Sequence, residues 1–142
     1  MMRKLVLELR PETCKGLGPD VSITLDGITI DRLIVNRNMI WHTYLSIEPG
    51  DHDLRLTFNN EDNTRFYDWG EDPNGEIRVL HLDKMRFAND GTNLVDFDLR
   101  FDVLADGKYL FIPEPSAGII MDFGPGFSMY KNATARIILP VR

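Results

Sequence analysis

The sequence contains a single cysteine, Cys14, among its 142 residues. One thiol cannot form an internal disulfide, so the fold does not depend on an oxidising compartment. No histidine lies near Cys14 in the sequence, and we therefore expect a small buried residue there rather than a nucleophile. The three histidines each lie in a strand-like run, and none has a second histidine or cysteine at the spacing of a zinc site.

Long apolar runs are also missing. No stretch approaches the roughly 18 consecutive apolar residues of a membrane-spanning helix. The N-terminus, MMRKLVLELR, alternates apolar and charged residues and lacks the long apolar segment and the small-residue cleavage site of a secretory signal. We therefore expect a chain that is made in the cytoplasm and has no membrane partner, and this expectation is compatible with incorporation into a virion.

Positive charge is scarce. The 16 lysines and arginines are outnumbered by 22 aspartates and glutamates, which gives a formal net charge of -6. Affinity for nucleic acid comes largely from basic side chains that displace counterions, and anionic membrane surfaces select for the same charge. The composition predicts no nucleic-acid partner.

Catalytic motifs are absent as well. There is no Gly-x-Ser-x-Gly elbow, and the glycine pairs at 16–18 and 124–126 lack the strand-to-helix setting of a phosphate-binding loop. Asp96 and Asp98 lie two positions apart on one predicted strand, a separation of about 7 Å that an acid–base pair can use. Alternating carboxylates on a solvated strand face also serve solubility, and we predict that the protein is not an enzyme.

What the sequence does have is a period of two. Apolar and polar residues alternate in at least four runs, which is typical of half-buried antiparallel strands. These runs are Leu5 to Leu9, Val21 to Leu25, Leu54 to Phe58 and Val95 to Val103. In the run from Glu76 to Phe87 the phase changes at Leu80 and Leu82, which indicates a bulge or a doubly buried stretch.

Turn residues separate these runs. Asp26-Gly27 and Asp106-Gly107 each stand between two alternating segments, which is a strong hairpin signal. A further turn is predicted at 48–51, and a last strand at 135–141. We count nine to eleven short strands and no helical periodicity. The pattern predicts one all-β domain over residues 1–142, a two-sheet antiparallel β-sandwich or jelly roll.

The longest stretch without a strand pattern is the loop 59–76, NNEDNTRFYDWGEDPNGE. It contains six carboxylates, which only Arg65 offsets. Such a loop repels itself unless a cation neutralises it, and calcium accepts six to eight oxygen ligands in irregular loops. The alternative is a solvated acidic loop whose aromatic residues fold back onto the sandwich.

The same loop contains aromatic residues. Tyr67 and Trp69 can form a platform on which the apolar face of a sugar ring stacks, with Asp68 and Asn74 as hydrogen-bonding partners of its hydroxyls. They can also anchor a protein interface, where both residue types are enriched, or cover the edge of the core. The sequence leaves these three readings open.

The segment 50–60, GDHDLRLTFNN, resembles a strand of the calcium-dependent, xylan-binding-type carbohydrate-binding modules. In those modules an acidic loop follows, and then a segment whose place is taken here by DPNGEIRVLHLD at 72–83. The resemblance covers about a quarter of the chain. It implies a jelly-roll sandwich and calcium-assisted sugar binding, with Asn60, Glu61, Asp62 and Asp72 as the metal ligands.

Two functional hypotheses follow. The first is a non-catalytic module that binds carbohydrate through the loop 59–76. The second is a structural subunit of a virion or appendage, in which the apolar but Pro/Gly-broken segment 112–127 forms an arm that packs on a neighbouring subunit. The second hypothesis implies other protein subunits as partners, in a homo-oligomer or a larger assembly.

Overall fold

The computed structural model describes residues 3–62, 77–88, 95–97, 110–113, 119–121, 127–130 and 132–141. In these ranges the chain forms β-strands joined by turns and loops. The strands are β1 Arg3–Glu12, β2 Asp20–Leu25, β3 Ile28–Ile34, β4 Met39–Leu45, β5 Gly50–Phe58, β6 Val79–Ala88, β7 Val95–Phe97, β8 Leu110–Pro113, β9 Ile119–Met121, β10 Phe127–Met129 and β11 Thr134–Val141. The part of the chain described has no helix long and apolar enough to cross a bilayer.

The strands form two antiparallel sheets. In sheet 1 the order is β4-β1-β6-β10-β9, and β7 pairs with β6 beyond the end of β10; in sheet 2 the order is β3-β2-β5-β11-β8. The predicted all-β antiparallel sandwich is confirmed. Strands adjacent in sequence often belong to different sheets: the chain leaves sheet 2 after β3, enters sheet 1 at β4 and returns to sheet 2 at β5.

The core lies between the sheets and follows from the alternation in the sequence. Every second side chain of a strand points to the same face, so the apolar residues of each run enter one interior. The most deeply buried of these residues include Leu5, Leu7, Leu9, Val21, Ile23, Leu54, Leu56, Phe58, Leu80, Leu82, Met85, Phe87, Ala135, Ile137 and Leu139.

The hairpin predicted at Asp26-Gly27 is confirmed. Leu25 pairs with Ile28, and both turn residues have positive φ, 51° and 82°. This is the conformation of a type I′ turn, which matches the twist of the strands that it joins. Cys14 is buried, as predicted, and closes a second tight turn through mutual backbone hydrogen bonds with Leu17. The hairpin predicted at Asp106-Gly107 lies outside the described residues.

The phase change in the run 76–87 has a structural cause. Glu8 of β1 pairs with Lys84, but Leu9 pairs with Leu82, so Asp83 is an extra residue in β6. The bulge shifts the inward positions from even to odd numbers. Val79 and Leu80 are in addition both buried, so both features predicted for this run are present.

The prediction for the run from Val95 to Val103 is confirmed only at its start. Residues 95–97 form β7, and the rest of the run lies outside the described residues. The predicted turn at 48–51 and the predicted last strand agree with β5, which begins at Gly50, and with β11. Because β5 is the central strand of sheet 2 and ends at Phe58, the loop 59–76 leaves from the middle of that sheet.

Candidate binding site at the end of strand β5

A row of hydroxyl groups crosses the outer face of sheet 2. Ser22, Thr57 and Thr134 are directly opposite one another on β2, β5 and β11. Their side chains point outward because the neighbouring positions of each strand face the core. The Oγ1 atoms of Thr57 and Thr134 lie 3.0 Å apart. The side-chain amide nitrogen of Asn59 donates a hydrogen bond of 2.9 Å to Oγ of Ser22.

An open pocket of about 420 Å³ lies at the end of this row. It is lined by Arg55, Thr57, Phe58, Asn59, Asn132, Ala133 and Thr134. The side chain of Phe58 faces the core and is fully buried, so the polar character of the pocket comes from two hydroxyls, two amides and one guanidinium. These seven residues include no carboxylate, imidazole or thiol, so they supply hydrogen bonds rather than acid–base or nucleophilic chemistry.

The positive charge of Arg55 is held in place by Asp53. Arg55 donates two hydrogen bonds to that carboxylate, at 3.0 and 3.1 Å, and Arg136 of β11 donates a third at 3.0 Å. The hydrogen bond from Arg55 lowers the pKa of Asp53 and outweighs the opposing effect of burial. Two guanidinium groups therefore share one carboxylate beside the pocket.

The first residues of the loop 59–76 are fixed to the strand β2. Asn60 accepts a hydrogen bond of 2.6 Å from the backbone amide of Asp20, and its side-chain nitrogen donates one of 3.1 Å to the carbonyl of Gly18. Gly18 lies against the carbonyl of Val35: a Cβ atom at this position would be 1.8 Å from that oxygen. Only glycine fits such a close approach of two backbones.

Arg78 holds the other end of the loop. It is 6% exposed. Its guanidinium donates hydrogen bonds to the carbonyl oxygens of Cys14, Leu17 and Asn60 at 2.9, 2.9 and 2.6 Å. Its backbone amide donates to the carbonyl of Asp62 at 2.9 Å. A buried cation thus binds three carbonyl dipoles, and the loop enters and leaves the sandwich at one point.

Glu61 and Asp62 lie next to this arginine. Glu61 is exposed, and its backbone amide donates a hydrogen bond of 2.8 Å to the side-chain oxygen of Asn132 in the pocket. The carboxylate of Asp62 pairs with Lys15 at 3.1 Å. Asn60 is committed elsewhere, because its side-chain oxygen and its carbonyl oxygen both accept hydrogen bonds from the protein.

Three of the predicted metal ligands, Asn60, Glu61 and Asp62, lie in the described residues, and Glu61 contacts the pocket residue Asn132 through its backbone amide. The remaining predicted residues of the site lie outside the described residues: Tyr67, Asp68, Trp69, Asp72 and Asn74. No group of three His, Cys, Asp or Glu side chains in the described ranges can hold a metal ion. Two carboxylates, at 61 and 62, are fewer than the six to eight oxygen ligands that calcium takes.

Sequence reasoning missed Arg78, Asn132 and Thr134. The alternation places Thr134 on an outward face, but its position opposite Thr57 depends on β11 pairing with β5 across more than seventy residues. Arg78 belongs to no recognisable sequence motif. Its role depends on the folded position of the turn at Cys14, whose carbonyls it binds.

The segment 112–127, predicted as an intersubunit arm, contributes strands to both sheets where it is described. Ile112 and Pro113 belong to β8, which pairs with β11, and residues 119–121 form β9, which pairs with β10. A contact of this segment with another subunit stays a prediction.

No family model and no curated protein matches the sequence. Among solved structures, the selenomethionine form of vCBM60, from work on two families of calcium-dependent carbohydrate-binding modules, matches with a TM-score of 0.50 and 12% identity. The match covers 94% of this chain and 88% of that one. The complex of vCBM60 with galactobiose gives 0.46 and 13% identity, over 96% and 97%. At this identity the first match shows a shared fold.

Proposed function

We propose that the protein is a non-catalytic carbohydrate-binding module whose ligand occupies the pocket at the end of β5. The observation that carries this proposal is the lining of that pocket, which combines the paired hydroxyls of Thr57 and Thr134 with the amides of Asn59 and Asn132. The shared fold with vCBM60, which is a module of this class, agrees with the proposal.

The chemistry of the lining suits a polyhydroxylated ligand. A sugar hydroxyl both donates and accepts hydrogen bonds, and threonine hydroxyls and carboxamides do the same. In an open pocket, several such bonds select the orientation of a ligand whose groups are spaced along a ring. The apolar face of that ring needs an aromatic partner, and we assign this role to Tyr67 and Trp69, with Asp68 and Asn74 as further hydrogen-bonding residues.

The proposal includes calcium, held by Glu61, Asp62 and Asp72. The described part of this set is compatible with a cation. Glu61 is exposed, and the carboxylate of Asp62 pairs with the half-exposed ammonium of Lys15. Calcium would neutralise the carboxylates that crowd this loop. Asn60, the fourth predicted ligand, keeps its structural hydrogen bonds and is not part of the proposed set.

The test is binding of immobilised and soluble oligosaccharides, first on a glycan array and then by calorimetry. We expect at least one glycan to bind, and we expect Thr57→Val with Thr134→Val to weaken that binding about tenfold or more, because buried sugar hydroxyls lose their partners. Trp69→Ala should abolish binding and leave the melting temperature unchanged.

A matched control is Thr24→Val. Thr24 lies on the same outer face of sheet 2, opposite Arg55, but does not line the pocket. Equal losses for the control and for the pocket variants, or an array without any bound glycan, would remove the basis of the proposal.

A further inference from the structure

The sandwich has two neighbouring edges that differ in how they are protected. Among the described strands, β3 is one edge of sheet 2 and β4 is one edge of sheet 1, and the indole nitrogen of Trp41 in β4 donates a hydrogen bond of 2.7 Å to Asp31 in β3. β3 carries a bulge at Ile30 and the charged residues Asp31 and Arg32. Bulges and charges are the means by which edge strands avoid pairing with other chains.

β4 has neither form of protection. Its sequence, MIWHTYL, contains no charged residue and no proline, and it pairs with β1 in a continuous register. In the described part of the chain, β1 is the strand with which it forms a ladder. Three side chains point outward from it: Ile40 is 61% exposed, Tyr44 is 55% exposed, and His42 between them is exposed as well. A flat uncharged edge of seven residues is a template for another strand.

We propose that β4 pairs antiparallel with β4 of a second copy of the chain, around a two-fold axis at His42. This pairing joins the two copies of sheet 1 into one continuous sheet. It places His42 opposite the partner's His42, and Ile40 opposite the partner's Tyr44. Aliphatic–aromatic pairs directly across two strands stabilise a sheet, and the symmetry provides this pair twice.

The self-complementary pattern of β4, with Ile40 and Tyr44 two positions on either side of His42, favours a second copy as the occupant. Glu8 lies opposite Ile40 and Lys4 lies opposite Tyr44. Across the proposed interface, each row of the sheet therefore reads Glu8, Ile40, the partner's Tyr44, the partner's Lys4. An apolar pair is flanked by opposite charges in both symmetry-related rows. A slip by one residue would turn the outward side chains to the inner face, so the apolar pattern selects this register.

Cysteine cross-linking tests the register. In a Cys14→Ala background, whose melting temperature is first compared with that of the natural chain, His42→Cys should form a disulfide-linked dimer under mild oxidation at pH 8. Directly opposed side chains have Cβ atoms about 4.5–5.5 Å apart, close to the separation that a disulfide requires.

Ile40→Cys should not cross-link with itself, because its copies lie about 13 Å apart along the paired strands, but it should cross-link when mixed with Tyr44→Cys. The control is Ile28→Cys on β3, which is 69% exposed and reports random collisions.

Sedimentation equilibrium tests the dimer without cross-linking. We expect a concentration-dependent monomer–dimer equilibrium in the natural chain. Tyr44→Lys should raise the dissociation constant about tenfold or more, because it places a charge at the paired edge, whereas Ile28→Lys should change it less than about twofold. The proposal is overturned if the chain stays monomeric at millimolar concentration, if a strand of another protein but not a second copy occupies β4, or if His42→Cys cross-links no faster than Ile28→Cys.

Discussion

At the scale of single residues, Arg78 is the side chain on which the candidate site depends most. Its guanidinium binds three carbonyl oxygens that belong to two separate segments of the chain. Removing this buried partner takes one hydrogen bond from each of the three carbonyls, and hydrogen bonds to charged groups contribute more than neutral ones.

We therefore expect Arg78→Leu to lower the free energy of unfolding by about 3 kcal/mol, measured by urea denaturation. The control is Arg32→Leu, which removes an exposed guanidinium that makes two hydrogen bonds to Asp20. Its effect should be small because solvent screens an exposed pair. Similar losses in the two variants would show that Arg78 does not anchor the loop.

A second residue-scale prediction concerns pH. Burial disfavours the charged ring of His52, but its hydrogen bonds to Asp26, at 2.5 Å, and to the carbonyl of Glu48, at 2.6 Å, outweigh this effect and raise the pKa of His52. Both ring nitrogens face acceptors, so only the protonated ring satisfies them. The stabilisation is therefore complete below the unfolded-state pKa and is lost as the pH rises through the folded-state pKa.

The measurement is the urea midpoint between about pH 5.5 and pH 8.5, a range around the ordinary pKa of histidine. In the natural chain, His52 should contribute more to the free energy of unfolding at the low end of this pH range than at the high end. His52→Gln should reduce the difference in midpoint between the two ends. An unchanged pH dependence in this variant would contradict the assignment.

At the scale of elements, the start of β2 is packed against the end of β3 through Gly18. A Cβ atom there meets the carbonyl of Val35, whereas a Cβ atom at Gly27 in the β2–β3 turn meets nothing within 4 Å. Gly27→Ala therefore costs only the strain of a positive φ, about 1 kcal/mol. Gly18→Ala must separate two backbones and should destabilise the protein considerably more. Thermal melts of the two variants compare these effects, and the reverse order would contradict the packing.

Much of the structure of the individual strands could be predicted from the sequence. The alternation in β1, β2 and β5 predicted their inward faces, and the phase change near Leu82 predicted the bulge, because both depend on local periodicity alone. The partners of each strand could not be predicted in this way. Thr134 faces Thr57, and Asn132 meets Glu61, only because β11 lies between β5 and β8, an order that depends on the whole core. The role of Arg78 could not be predicted for the same reason, because its partners lie in distant segments of the chain.

At the scale of the whole molecule, calcium is expected to act on stability if the loop holds it. A ligand that binds only the folded state raises the melting temperature by mass action. We expect millimolar calcium to raise the melting temperature relative to a chelator, and Asp62→Asn to reduce this difference.

Asn60→Ala provides the matched control. It should lower the melting temperature equally in calcium and in chelator, because its hydrogen bonds to Gly18 and Asp20 are structural. A melting temperature that does not respond to calcium would remove the ion from the proposed function and leave the sugar pocket to be judged by its own test.

Arg78 joins the two ends of the loop through hydrogen bonds to Asn60 and Asp62, and this closure has an evolutionary consequence. The stretch between residues 62 and 78 can lengthen, shorten or change its chemistry without altering the register of any strand, because a hydrogen bond already joins these two residues. Natural variation in ligand recognition would then be concentrated in the residues between 62 and 78, and replacing them with a different engineered segment should leave the two sheets folded.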